Sequence, residues 1–365
     1  MTDPYNLLLL SLGICVIGAI LAALLPDRMN SLTMAFVAST ASAVALVASG
    51  KALLIGPFFD VQIWRLPYFG IINFSMDRIS ALFVFVAALV YFPVSIFSFQ
   101  YMGKYRDRYS LKSFGIFYHL LFAFIILTLI ASDVVSFLVA WEAMTILSYL
   151  LVNYEHEHEE VTSSGLMMLA MSEVGTVAAT LSFLIIAGSS DNLSFVSLRS
   201  GSASLGALAK WAVFLLSFFG FGVKAGLIPG SAWLPRAHPV APANASAILS
   251  GVILNLGIYG IVRVNADLLP VSHYAQGLVV LIVGSLSALI GILYATTEND
   301  MKKMLAHSSI ENMGILTSSI GAGFIFLAFG HSAIAGIAFI VALYHMINHS
   351  SYKALLFLGA GTVDS

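Results

Sequence analysis

Charge and cysteine are both scarce in this chain of 365 residues. Only 9% of it is charged, against roughly 25% in soluble domains. So little charge cannot cover a water-facing surface, which excludes a soluble globular enzyme. The single cysteine, Cys15, excludes a disulfide framework. It also excludes a self-contained iron–sulfur cluster, whose irons are held by a set of thiolates. The net charge of −2 offers nothing to phosphates, so no nucleic-acid partner is expected. There is no P-loop and no HExxH pair, and Gly220-Phe221-Gly222 sits in an apolar stretch with no strand before it. No cofactor, no resident metal and no catalytic centre are expected.

Apolar residues fill the chain instead: 59% are hydrophobic. A membrane span needs about 20 of them in a row for a hydrocarbon core about 30 Å thick. Such stretches run near Tyr5–Leu25, Ser31–Ser49, Ile79–Phe99, Ser113–Ile130, Val134–Asn153 and Ser163–Ala187. Others lie near Ala209–Ile228, Asn244–Val264, Tyr274–Ala295, His307–Phe329 and Ser332–Gly361. Only helices satisfy their own backbone in lipid. The fold class is therefore all-α, a polytopic integral membrane protein of about eleven transmembrane helices. The first stretch is too long, and too poorly flanked by positive charge, to be a cleaved signal peptide.

Lysine and arginine tip the N-terminus only slightly outward. The cluster Lys104–Lys112 reads as a topology anchor. Residues 50–78, with Gly56, Pro57, Pro67 and Gly70, read as an external loop with a short hairpin. The run Glu155-His156-Glu157-His158-Glu159-Glu160 has neither histidine at the spacing of a helical ligand pair, so it reads as a solvated acidic turn.

The charges that do enter the apolar stretches carry the argument. Glu142, Glu173, Lys224 and Lys353 lie inside spans, and Glu311 near the start of another. An ionised side chain at the bilayer centre costs about 2.5–3.5 kcal/mol, so these residues must face one another or water. The default reading of such groups is an ion or proton pathway. Two readings of Glu142 and Lys224 stay open. A fixed ion pair would tie helices together. A switchable pair would load and release a proton, because burial favours a neutral lysine and a nearby carboxylate a charged one.

Pro229 and Gly230 interrupt the stretch that follows Lys224. They mark either a loop end or a broken helix of the kind that lines ion sites. His345, His349 and Lys353 recur at i, i+4 and i+8, on one helix face. Metal binding, satisfied core histidines and a proton relay are the alternatives. The relay is preferred: Lys353 on the same face repels a cation, and a histidine pKa near 6.5 suits exchange. His119, isolated among aromatics, reads as a hydrogen-bonded core residue.

These residues sit in motifs. Trp141-Glu142 and Lys224-Ala225-Gly226 through Trp233-Leu234-Pro235 are followed by Ala237-His238-Pro239-Val240-Ala241-Pro242. Then come Ala247–Val252, Ile258-Tyr259-Gly260, Asp300–Ile310 and Tyr344-His345 to Lys353–Leu358, with Met76–Phe83 ahead of them. In these motifs the chain resembles the antiporter-like membrane subunits of respiratory complex I, of membrane-bound hydrogenases and formate hydrogenlyase, and of multisubunit cation/proton antiporters. Ala237–Ser250 and Ile310-Glu311-Asn312-Met313-Gly314 are most similar to the hydrogenase-associated branch. The resemblance spans nearly the whole chain.

It implies an inverted-repeat, antiporter-like fold with a broken seventh helix. Residues 1–112 would be N-terminal helices, 113–264 the first repeat, and 265–365 the start of a second. By resemblance, Glu142 and Lys224 pair, Glu173 and His238 belong to the proton pathway, and His345, His349 and Lys353 form its central axis. The implied partners are other membrane subunits of a redox complex, peripheral electron-transfer subunits reached through them, and the lipid bilayer. The implied location is a bacterial or archaeal cell membrane. Two departures stand out. Asn255 replaces a lysine found in many relatives, leaving the inner relay to water or another residue. The second repeat is incomplete, so a further segment or a separate chain is expected to complete it. A subunit of a redox-driven ion pump, a module of a cation/proton antiporter or ion-coupled uptake system, and a remnant without transport are the competing functions.

Overall fold

The computed structural model describes residues 3–56, 59–66 and 70–363. Pro57 and Pro67 of the expected loop lie outside them. Eleven helices among the described residues are long and apolar enough to cross a membrane. They are α1 (Pro4–Leu24), α2 (Asp27–Ile55), α3 (Arg78–Tyr105), α4 (Leu111–Ile130), α5 (Val134–Glu155) and α6 (Glu159–Ala187). The rest are α7 (Ala207–Ala225), α8 (Ala243–Leu268), α9 (Tyr274–Ala295), α10 (Met301–Ala328) and α11 (Ser332–Val363). Short helices at Phe195–Ser202 and Leu234–Val240 lie between them.

Polar residues at the borders of the apolar runs start the helices. Asp3, Asp77, Asp133 and Asp300 each accept a first-turn backbone N–H, and His273 forms a capping box with Gln276. A carboxylate there satisfies donors that have no partner within the helix and faces the positive end of the helix dipole. Gly56, at φ 65°, ends α2. The expected loop thus begins later than hydropathy suggested, because α2 continues through Ile55. The hairpin is real: β1 (Asp60–Leu66) and β2 (Gly70–Ser75) pair antiparallel, Asp60 opposite Ser75.

The chain divides into two compact units. The first comprises Met1–Leu166, Val240–Val252 and Ala354–Ser365. In it the hairpin is fastened by a buried carboxylate, Asp133 at the head of α5. Its oxygens accept from Ser136 N (2.8 Å), Ser136 Oγ (2.6 Å) and Asn73 N in β2 (2.9 Å). Hydropathy gave no sign of this residue. Loss of a cap costs about 1 kcal/mol, and a hydrogen bond to a charged group about 1.5–3. We expect Asp133→Ala to lose at least about 2 kcal/mol and Asp133→Asn less, since its carbonyl still caps. Amide exchange at Asn73 and Ser136 checks this, and equal protection in wild type and Asp133→Ala would refute it. His119 is not hydrogen-bonded as expected. Both its ring nitrogens are buried without a partner among the described residues, and the ring lies against Gly18, where a Cβ would come within 2.6 Å of Nδ1. It is held by packing.

The second unit comprises Met167–Pro239 and Ile253–Lys353. Glycines let its helices touch backbone to backbone. A Cβ at Gly257 of α8 would lie 2.4 Å from Ala225 N of α7, and one at Gly314 of α10 would lie 2.3 Å from Ala288 N of α9. Without a hydrophobic drive between helices in lipid, such close packing is what holds them together.

α8 extends past Val264 to Leu268, which places a further buried cation inside a span. Arg263 is 3% exposed. Its Nη1 pairs with Asp267 at 2.7 Å, and Arg199 of the Phe195–Ser202 helix grips the same carboxylate with two bonds of 2.7 Å. The planar guanidinium suits such forked pairing. Read from sequence alone, Arg263 stood at a helix end.

Candidate functional site

Lys224 occupies the last turn of α7 and is 2% exposed. The helix stops directly after it, at Gly226 in the left-handed region (φ 73°), and Leu227 N returns to Gly222 O at 2.9 Å. The break therefore precedes Pro229 and Gly230. A glycine with positive φ ends the helix before the proline can, because only glycine takes that conformation without steric cost. The freed backbone groups are answered locally. Trp233 Nε1 donates to Val223 O (3.0 Å), and Ile228 N donates to Ser287 Oγ of α9 (3.0 Å). Gly230 packs onto Val223, where a Cβ would lie 2.8 Å from its side chain. The short helix Leu234–Val240 then carries the fully buried His238.

Glu173 of α6 lies on an exposed face of the chain rather than inside it. Two residues later, at Gly175, α6 meets α7. A Cβ at Gly175 would be 2.7 Å from Gly220 O, one turn before Lys224. Glu142 belongs to the first unit. It is half-buried on α5, and its Oε1 is buried without a hydrogen bond among the described residues. The acidic turn at 156–160 is exposed.

The row on α11 is brought together as its spacing predicted. His349 is fully buried, Lys353 is 1% exposed, and His345 is half-buried. Lys353 Nζ donates to Leu305 O of α10 at 3.0 Å. Both ring nitrogens of His349 and Nε2 of His345 are buried without a hydrogen bond among the described residues. Asn255 of α8 donates from Nδ2 to Ser350 Oγ at 2.7 Å, beside His349. Asn255 thus leads into the same row. Tyr352 OH, next to Lys353, donates to Asn312 Oδ1 of α10 at 2.6 Å. The polar neighbours Ser350, Tyr352 and Asn312 had no sequence signal: each is an ordinary helix residue until a second helix is placed beside it.

Charge held in this way among apolar helices defines a multi-pass integral membrane protein. The chain belongs to the NADH:quinone oxidoreductase/Mrp antiporter transmembrane family, whose model matches residues 131–365. It is 38% identical over 299 residues to hydrogenase-4 component B of Escherichia coli (strain K12), covering 81% of this chain and 44% of that protein. It is 30% identical over 276 residues to formate hydrogenlyase subunit 3 of the same organism, covering 73% of this chain and 42% of that protein. The chain thus spans about half the length of the curated relatives it matches. A solved structure of the Mrp complex from Dietzia sp. DQ12-45-1b superposes with a TM-score of 0.83 at 21% identity, over 98% of this chain and 37% of that one. The antiporter-like fold is therefore established, and the solved neighbour belongs to the Mrp complex.

Proposed function

We propose that the chain is an ion-translocating membrane subunit that moves protons within a redox-driven complex of the quinone oxidoreductase or membrane-bound hydrogenase kind. Its protons pass by way of Glu142, Glu173, Lys224, His238, His345, His349 and Lys353. The break at Gly226, extended through Pro229 and Gly230, ends the helix where Lys224 must exchange its proton. The division into residues 1–112, 113–264 and 265–365 is proposed to follow the repeats of the family.

The observation that carries this reading is the buried row on α11. Buried polar atoms are nearly always hydrogen-bonded. His349, with both ring nitrogens bare in the core, and the half-buried His345, with Nε2 bare, lie one turn apart in a row that ends on Lys353. They suit groups that exchange protons with water or with each other. Moving one proton against 100 mV takes about 2.3 kcal/mol. That energy comes from partner subunits, including peripheral electron-transfer ones. The similarity to hydrogenase-4 component B favours a hydrogenase-type complex over a gradient-driven antiporter.

The test is proton movement by the whole complex in sealed vesicles, followed with a pH-sensitive dye. Electron transfer is expected to acidify one side and to stop doing so with an uncoupler. Turnover that moves neither H+ nor Na+ would reject the reading. Exchange driven by a sodium gradient alone would assign the antiporter class instead.

A further inference from the structure

The buried row has an acidic neighbour that the pathway above does not use. Glu311 of α10 is half-buried and is the carboxylate within electrostatic reach of His345, Tyr352 and Lys353. Its backbone is pressed against α9, where a Cβ at Gly291 would lie 2.5 Å from Glu311 N. Its side chain is held on its own helix by Ser308 Oγ, which donates to Oε2 at 3.1 Å. The acid is thus fixed on α10 against α9, within electrostatic reach of the row on α11.

From Glu311 a line of exchangeable groups leads to water. His307 lies one turn earlier on α10, about 6 Å along the axis and on the same face. Its Nε2 is 3.6 Å from Glu298 Oε1, and Lys303 Nζ is 3.0 Å from the same oxygen. The His307 ring stacks on Tyr294 at 5.3 Å between centroids. Glu298 sits in the loop between α9 and α10, where Thr296, Thr297, Asn299 and Asp300 are exposed. A carboxylate, an imidazole and a second carboxylate, spaced from the core to a polar loop, exceed what helix packing needs. α9 and α10 are already joined through Gly284, Gly314 and Gly321.

We propose that Glu311, His307 and Glu298 form a proton branch joining the His345–His349–Lys353 row to the aqueous face at the α9–α10 loop. A proton leaves the Lys353 ammonium, giving the neutral amine, and protonates the Glu311 carboxylate. His307 accepts it next, then Glu298, then water, and reloading runs in reverse. This inference rests on the proton-moving reading of the row.

The experiment uses the full-length protein in its complex, in sealed vesicles, with assembly checked by native gel. Glu311→Gln is expected to lower proton movement about tenfold or more, while Glu311→Asp retains most of it. Glu298→Gln gives a smaller loss. A carboxyl infrared band that appears on turnover in wild type is expected to vanish in Glu311→Gln. Normal proton movement in Glu311→Gln, with movement abolished in Lys353→Ala, would overturn the branch and leave the proposed function standing. Normal movement in Lys353→Ala as well would remove both. Equal loss in the Gln and Asp variants of an intact complex would make Glu311 structural and overturn the branch. Should Glu311→Gln fail to assemble, Glu298→Gln decides: an unchanged rate overturns the branch.

Discussion

Lys224→Ala is expected to abolish proton movement while the complex still assembles, and Glu142→Ala to do the same. The expectation rests on burial. Lys224 is 2% exposed, so an ammonium there is stable only when something compensates it. A positioned proton-transfer group is worth on the order of 100-fold or more in rate. Alanine at 224 removes the exchangeable proton. Assembly is expected to survive because Trp233 and Ser287 hold the turn after Lys224 through backbone groups. The sharper variant is Lys224→Arg. It preserves charge but hardly releases a proton, so it too should fail. Vesicle acidification measured beside electron transfer separates the cases. If the arginine variant pumps normally, Lys224 is a structural cation and the remnant reading gains.

The second large effect concerns α11. Replacing His345 and His349 together by Gln is expected to slow proton movement about tenfold or more. Glutamine keeps much of the size and the hydrogen-bonding groups of histidine but does not titrate near neutrality. Any loss therefore reports proton exchange rather than packing. His349 should contribute more than His345, because it is fully buried while His345 is half-buried. Single variants rank the two, and an unchanged rate in the double variant would return both to the core. A fall in vesicle pumping with unaltered electron transfer would mark uncoupling. A parallel fall in both would mean that transfer along α11 limits turnover.

Much of the site was legible early because charge is rare in apolar runs. Glu142, Lys224 and Lys353 stand out against their neighbours, and the four-residue spacing of His345, His349 and Lys353 put them on one face before any fold was known. Other features were not legible, for specific reasons. The helix break looked like the work of Pro229, yet Gly226 ends α7 first, because positive φ is a property of the backbone path rather than of composition. Arg263 looked like a helix end, yet α8 runs on to Leu268 and buries it against Asp267. Glu173 was expected inside the bundle and lies on an exposed face. Periodicity locates a residue on a helix but not the neighbour it faces.

Hydropathy alone determined that this is a polytopic helical membrane protein, that about eleven stretches can span, and that Glu142, Lys224 and Lys353 lie within them. It can do so because the cost of placing a residue in lipid is local and adds along the chain. Tertiary structure alone decided which polar groups meet. Asn255 with Ser350, Tyr352 with Asn312, Lys353 with the Leu305 carbonyl and Asp133 with the hairpin all join residues far apart in sequence. Such pairings follow from the distance at which two helices, or a helix and the hairpin, meet. That distance is set by two surfaces together and is written in neither strand of sequence by itself.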